Sequence, residues 1–155
     1  MTYKFLTSLC VFALFICNQA SAETAPAKGN SLGGNYAGIS AAVTDYFEGF
    51  SEADESRLFK AFSHEHACMV GATRNKDNII TLVSKKDMGP ELTSWTKGER
   101  PAWAQGDGEI LSINIVDDRL AVVLFRNTDQ WYDALTLAKT NNGRWKIISK
   151  AYIEQ

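Results

Sequence analysis

The hydrophobic period of this chain changes after two helical segments, and that change constrains its fold more than any other feature. Up to Phe62 the apolar residues recur at helical spacing. Beyond His66 they alternate, or run together in short segments between polar turns. Ala42, Val43, Tyr46, Phe47 and Phe50 follow Ile39 at the intervals of an amphipathic helix, predicted to begin near Gly38 and to close around Gly49. Ser51-x-x-Asp54 then resembles a capping box, opening a second helix with Leu58, Phe59, Ala61 and Phe62 on its apolar side.

After the change of period, residues 66–73 and 79–84 read as two short strands around a polar turn. Residues 87–95 fit a short helix with Met88, Leu92 and Trp95 along one side, and 97–108 form a loop containing Pro101 and Trp103. From Glu109 onward the pattern is that of strands. Leu111, Ile113 and Ile115 share a face, Asp117-Asp118 makes a turn, and residues 120–127 are a nearly continuous apolar run. Trp131, Asp133, Leu135 and Leu137 then line one face of the next strand. Asn142-Gly143 predicts a type I′ hairpin turn with both residues at positive φ. Strict alternation in the last strand puts Trp145, Ile147, Ser149 and Ala151 toward the core and Lys146, Ile148, Lys150 and Tyr152 away from it. Helices followed by antiparallel strands define an α+β domain.

The first residues do not belong to that domain. One positive charge in residues 1–4, an apolar run over 5–17 broken only by Thr7 and Ser8, and Ala20-Ser21-Ala22 have the layout of a secretory signal cut before Glu23. The run is too short to span a bilayer core, which needs about twenty residues, and bulky Phe15 and Ile16 precede Cys17 where a lipoprotein signal carries small residues. We therefore expect residues 1–22 to be a signal peptide, 23–36 a flexible leader rich in Ala, Gly, Asn and Ser, and 37–155 one domain, periplasmic or secreted, with no membrane attachment after cleavage. Cys10 and Cys17 leave with the signal. Cys68 cannot form an internal disulfide, and its apolar setting predicts a small buried hydrophobe.

Sixteen Lys and Arg against eighteen Asp and Glu give a net charge of −2, which offers no basic field for a nucleic-acid backbone. With 45% hydrophobic and 22% charged residues the chain is an ordinary globular one.

Particular residues add a resemblance. Tyr46-Phe47-Glu48-Gly49, Asp54, Leu58 and Ala61-Phe62-Ser63-His64, together with Asp133-Ala134-Leu135-Thr136-Leu137 and the closing Asn142-Gly143-Arg144-Trp145-Lys146-Ile147-Ile148, resemble the nuclear transport factor 2-like superfamily. Within it the chain is most similar to the lumazine-binding branch, and it also resembles SnoaL-like and ketosteroid isomerase-like domains. The resemblance spans residues 39–152. It implies a strongly curved antiparallel sheet wrapped around N-terminal helices, leaving a cone-shaped cavity. Relatives use that cavity for isomerases, dehydratases, hydrolases, ligand binding or subunit contacts, so fold alone does not decide function. The resemblance also implies a homodimer built on the outer face of the sheet.

Candidate chemistry is sparse. His64-Glu65-His66 holds both histidines, and on a strand their rings would share a face as metal ligands do. No spacing supplies further ligands, and the family resemblance gives His64 a capping or packing role instead, so neither a metal nor a cofactor is expected. Asp133 is either a buried cavity carboxylate or a rim acid paired with a Lys or Arg. Tyr46 would be the hydroxyl donor of an isomerase-like site, with Asp133 and Arg126 as partners. Among the tryptophans, Trp131 shares the face of Asp133, and Trp103 fits a rim or lid contact. No phosphate loop, nucleophile elbow, CxxC or HExxH occurs. The ligand-binding candidates are therefore Tyr46, His64, Trp103, Trp131 and Asp133, facing a small apolar or aromatic molecule. A cofactor-free isomerase, dehydratase or hydrolase and a structural dimerisation module are the alternatives, and no catalytic residue is assigned.

Overall fold

A computed structural model of the chain describes residues 28–154; the side chains of 28–32, 102 and 103 are outside that description. The expected signal peptide and the start of the leader also lie outside the described residues. Two helices, α1 (Lys28–Ser51) and α2 (Glu55–Ala61), lead into strands β1 (Cys68–Arg74) and β2 (Ile80–Lys85). A short helix α3 (Met88–Trp95) and a 3-10 turn (Ala102–Gln105) follow. The chain then runs through β3 (Gly108–Val116), β4 (Leu120–Asn127), β5 (Trp131–Lys139) and β6 (Trp145–Glu154).

The first helix starts well before Gly38, inside the stretch read as a leader. Gly33-Gly34 disfavours helix by about 1 kcal/mol per glycine, yet tertiary contacts override this. Asn35 is buried; its Nδ2 donates to Asp118 Oδ1 at 3.0 Å, and its Oδ1 accepts from Lys139 Nζ at 2.8 Å, tying the helix to the sheet. The second helix is capped by Asp54, whose carboxylate accepts from the Arg57 amide at 3.2 Å, while Ser51 is the last residue of α1.

Six strands form one curved, unclosed sheet in the order β2-β1-β6-β5-β4-β3, antiparallel except where β1 runs parallel to β6. Its inner face packs on α1. Ile39, Val43 and Tyr46 from the helix meet Val123, Leu135, Leu137 and Ile147 from the strands, all almost fully buried. This is the α+β cone expected from the sequence.

Two bulges depart from strict alternation. On β3, Ile110 pairs with Phe125 and Ser112 with Leu124, so Leu111 is the extra residue. Leu111 is exposed, and Ile110, not Leu111, shares the inner face with Ile113 and Ile115. On β6, Ile147 pairs with Leu137 and Ser149 with Thr136, leaving Ile148 unpaired. An extra residue flips every side chain beyond it to the other face. Trp145 and Ile147 point inward as predicted, but after the bulge Lys150 and Tyr152 point inward and Ser149 and Ala151 do not.

The β5–β6 turn is also not the type I′ turn predicted. Only Gly143 has positive φ, at 79°; the Gly143 amide donates to Thr140 O and the Thr140 amide to Arg144 O, both at 2.8 Å. That is a three-residue loop with a glycine bulge. Both φ values at Asp117-Asp118 are 52°, so the paired positive-φ turn falls between β3 and β4 instead. Cys68 is exposed rather than buried, because β1 alternates with Met69 and Gly71 inward.

Candidate ligand cavity

Four polar side chains from four elements converge under the cone. Tyr46 projects from the aromatic stripe of α1, Asp133 from the inner face of β5, Lys150 from β6 just after its bulge, and Asn127 from the last position of β4. All are at most 6% exposed. The Tyr46 hydroxyl donates to Asp133 Oδ2 at 2.8 Å. It accepts from Lys150 Nζ at 2.8 Å and, more weakly, from Asn127 Nδ2 at 3.5 Å. Lys150 is also ion-paired with Asp133 Oδ1, and its ammonium lies 5.0 Å from the centroid of the Tyr46 ring and 5.1 Å from that of Tyr152.

Burial sets the protonation of this group. The Tyr46 phenol is held well above its ordinary value of 10.0, first by desolvation and then by the charge and hydrogen bond of Asp133. Desolvation pulls the Lys150 ammonium below 10.5, and Asp133 acts in the opposite direction. Both oxygens of Asp133 are engaged, so the carboxylate is a fixed counter-ion. A general base would have to break the ion pair first.

Above this floor opens a cavity of about 220 Å³. Its walls are aromatic and apolar: Phe50, Trp95, Trp131, Tyr152 and Met69. Trp131 and Tyr152 meet edge to face at 5.3 Å. Gly71 makes room for the second of these rings, since a Cβ there would lie 2.1 Å from Tyr152 Cζ. Glu91 stands at one side, its carboxylate engaged by Lys85 Nζ at 3.0 Å and by Trp95 Nε1 at 3.2 Å.

The structure brings three of the five candidates together. Tyr46 and Trp131 line the cavity, and Asp133 lies behind Tyr46 and Lys150. His64 does not: 64–66 is a turn rather than a strand, and the His64 ring packs on Phe59 at 4.7 Å. With no strand, His64 and His66 do not share a face, and among the described residues no group of three His, Cys, Asp or Glu is placed to hold a metal. Trp103 falls in the 3-10 turn and its side chain lies outside the described residues. Arg126 faces outward, bound to Glu109 Oε2 at 2.7 Å. Sequence reasoning missed Lys150, which the bulge concealed. It also missed Asn127, for which a signal existed: alternation from Ala121 through Val123 and Phe125 carries the inner face straight to position 127.

An α+β cone with a polar-floored cavity defines the class, and comparison with known proteins gives the family. Residues 35–153 match the family described as "Putative lumazine-binding", and the chain belongs to it; its fold is that of nuclear transport factor 2-like proteins. A nuclear transport factor 2-like protein of unknown function from Shewanella baltica OS155 is 23% identical and superimposes with a TM-score of 0.60, covering 77% of this chain and 93% of that one. Another from Silicibacter pomeroyi DSS-3 is 17% identical, with a TM-score of 0.57 over 80% and 98% of the two chains. A domain of unknown function with a cystatin-like fold from Nostoc punctiforme PCC 73102 is 15% identical, with a TM-score of 0.54 over 78% and 77%. No curated protein sequence matches the chain.

Proposed function

We propose that this protein binds one small, flat, largely apolar molecule in its cone. The observation that carries the reading is the cavity itself: about 220 Å³, walled by four aromatic rings and Met69. A dry apolar cavity of roughly 150 Å³ accepts benzene, so this one suits a molecule of one or two rings. The family description, which names a small ligand, points the same way. Binding is favoured over an isomerase-like turnover because Asp133 is held by Lys150 and Tyr46. Titrating the protein with naphthalene and indole, read by tryptophan fluorescence, should give saturable quenching that Met69→Trp abolishes by filling the space. A flat titration with every such probe overturns the reading.

The same proposal includes export and self-association. The run over 5–17 and Ala20-Ser21-Ala22 support a mature chain starting at Glu23; an intact mass retaining Met1 on exported protein would refute it. The outer face of the sheet exposes Val70, Leu111, Leu120, Val122, Leu124 and Ile153, each between 38% and 53% accessible. Three of them, Leu111, Leu124 and Ile153, border a groove of about 280 Å³. Exposed apolar surface of this extent favours pairing with a second copy.

A further inference from the structure

Strand β2 forms one edge of the sheet, and among the described residues nothing covers it. All six of its residues are exposed, Leu82 most of all at 81%. The opposite edge, β3, is interrupted by the bulge at Leu111, whereas β2 pairs with β1 without a break from Ile80 to Lys85. Edges are ordinarily protected by a charge, a proline or a bulge. The segment Ile79-Ile80-Thr81-Leu82-Val83-Ser84 has none of these. Its ladder to β1 fixes which backbone groups are left over. The Asn75 amide donates to Ile79 O at 3.0 Å, so these two residues form a hydrogen-bonded pair. Such pairs alternate along an antiparallel ladder. Thr81, Val83 and Lys85 therefore turn their amides and carbonyls toward β1, and Ile80, Leu82 and Ser84 turn theirs to the open edge.

A strand that adds here must set its own free groups opposite these, and β2 itself meets that condition. Antiparallel pairing of two copies centred on Thr81 sets Ile80 opposite Leu82 and Ile79 opposite Val83, each twice. Centring on Leu82 instead sets Ile80 opposite Ser84 and Ile79 opposite Lys85. Only the Thr81 register gives all four exposed apolar side chains apolar partners. It also carries Asp77, in the turn ahead of β2, toward Lys85 and Lys86 of the other copy, while residues 79–84 bring no charge into the contact. We propose that two copies of this chain join antiparallel through β2, about a two-fold axis at Thr81, and continue one sheet across both. The contact is separate from the outer-face pairing and uses different strands. Six residues a side is far below the roughly 20–30 of a stable interface, so the contact is transient in dilute solution. Where the chain is concentrated, it links one outer-face pair to the next.

Cysteine trapping reads a transient contact of this kind. In the chain from Glu23 onward Cys68 is the sole thiol, so Cys68→Ser gives a thiol-free background. Thr81→Cys, Leu82→Cys and Ser84→Cys are each introduced into it and oxidised with copper–phenanthroline in air at one concentration. Disulfide-linked dimer is then followed on non-reducing gels. The proposed register makes Thr81 and its copy a non-hydrogen-bonded pair with Cα atoms about 4.5 Å apart, inside the range a disulfide spans. Residues 82 and 84 lie farther from their own copies. Thr81→Cys should therefore link about tenfold faster than either of the others. The excess should persist when Leu124→Glu is added and vanish when Leu82→Lys is added. All three substituted positions are exposed, and an unchanged far-ultraviolet spectrum verifies the fold. Equal rates at the three positions would reflect chance collisions and overturn the proposal. Fastest linking at Leu82→Cys overturns the register. Loss of the Thr81→Cys link in Leu124→Glu assigns it to the outer face and overturns the β2 contact.

Discussion

The Tyr46 hydroxyl stands 2.8 Å from Lys150 Nζ, a contact between the last third of α1 and the middle of β6, 104 residues apart in the chain. Asp133 completes the group by taking the tyrosine proton and pairing with the ammonium. Helix and sheet are therefore joined at the floor of the cavity by a closed polar network inside an otherwise apolar core. A buried pair of this kind adds little net stability, but each partner depends on the other.

Removing one member should accordingly be severe. Asp133→Ala leaves an uncompensated ammonium that is 6% exposed, and Lys150→Ala leaves a carboxylate that is 1% exposed. Each should cost about 3–5 kcal/mol, while Asp133→Leu with Lys150→Met should recover most of the loss. Urea titrations of the singles and the double form the test. Single variants within 1 kcal/mol of the parent, roughly the cost of a surface change, would mean that the pair is not desolvated.

Much of this fold was legible from the sequence, and the errors in the facing of β3 and β6 share one cause. The helical stripe, the strands and the inward face of β5 follow from local periodicity, which the chain obeys. The bulges at Leu111 and Ile148 are invisible to periodicity, because an apolar residue looks the same in or out of a ladder. One unseen extra residue moved Lys150 from the solvent side to the cavity and so hid half of the ion pair, although Asp133 was already weighed as a buried acid. The start of α1 was missed for a different reason: Gly33-Gly34 reads as a breaker, and the Asn35 contacts that hold it come from residues some eighty or a hundred positions away.

The pH dependence of stability follows from the same network. The native phenol of Tyr46 is raised above 10.0, so above that pH the folded protein keeps a proton that the unfolded chain releases. Its contribution is complete below 10.0 and is lost as pH climbs toward the raised native value. Lys150 runs the other way: between its lowered native value and 10.5 the folded state binds fewer protons, and stability rises with pH. Above 10.5 the tyrosine slope remains. Tyr46→Phe should cost about 1–3 kcal/mol at neutral pH, since Asp133 and Asn127 each lose a partner, and it should flatten the alkaline loss. Tyr152, also raised, contributes a slope in both proteins. Chemical denaturation from neutral pH to above 10.5 compares them; identical alkaline slopes would show that Tyr46 is not the group responsible.

Self-association should respond to the outer face and not to the cavity. Leu124 is 47% exposed and borders the outer groove, so Leu124→Glu places a charge in the proposed contact while disturbing little of the monomer. Light scattering of the parent should show a dimer at high micromolar concentration, and of the variant a monomer with an unchanged far-ultraviolet spectrum. A strictly monomeric parent rules the dimer out.

Trp145 and Ile147 are the part of the β6 face assignment that survives the bulge, and Trp145 can be tested against a residue on the other side of its contact. Its indole is 4% exposed, in the core beside α1, and Lys139 Nζ lies 5.9 Å from the ring centroid. A Cβ at Gly38 would lie 2.8 Å from Trp145 Cδ1, so the glycine is needed for the helix to approach. Trp145→Ala should cost about 3–5 kcal/mol through the cavity it leaves. Gly38→Ala would ordinarily stabilise an exposed helix by up to about 1 kcal/mol. Here it should destabilise by about 1–3 kcal/mol, because the ring must shift. In the double variant the clash vanishes, so Gly38→Ala should become neutral or favourable once Trp145 is gone. A double-mutant cycle by urea titration reads that sign reversal directly, and strictly additive effects would mean that the helix and Trp145 are not in contact.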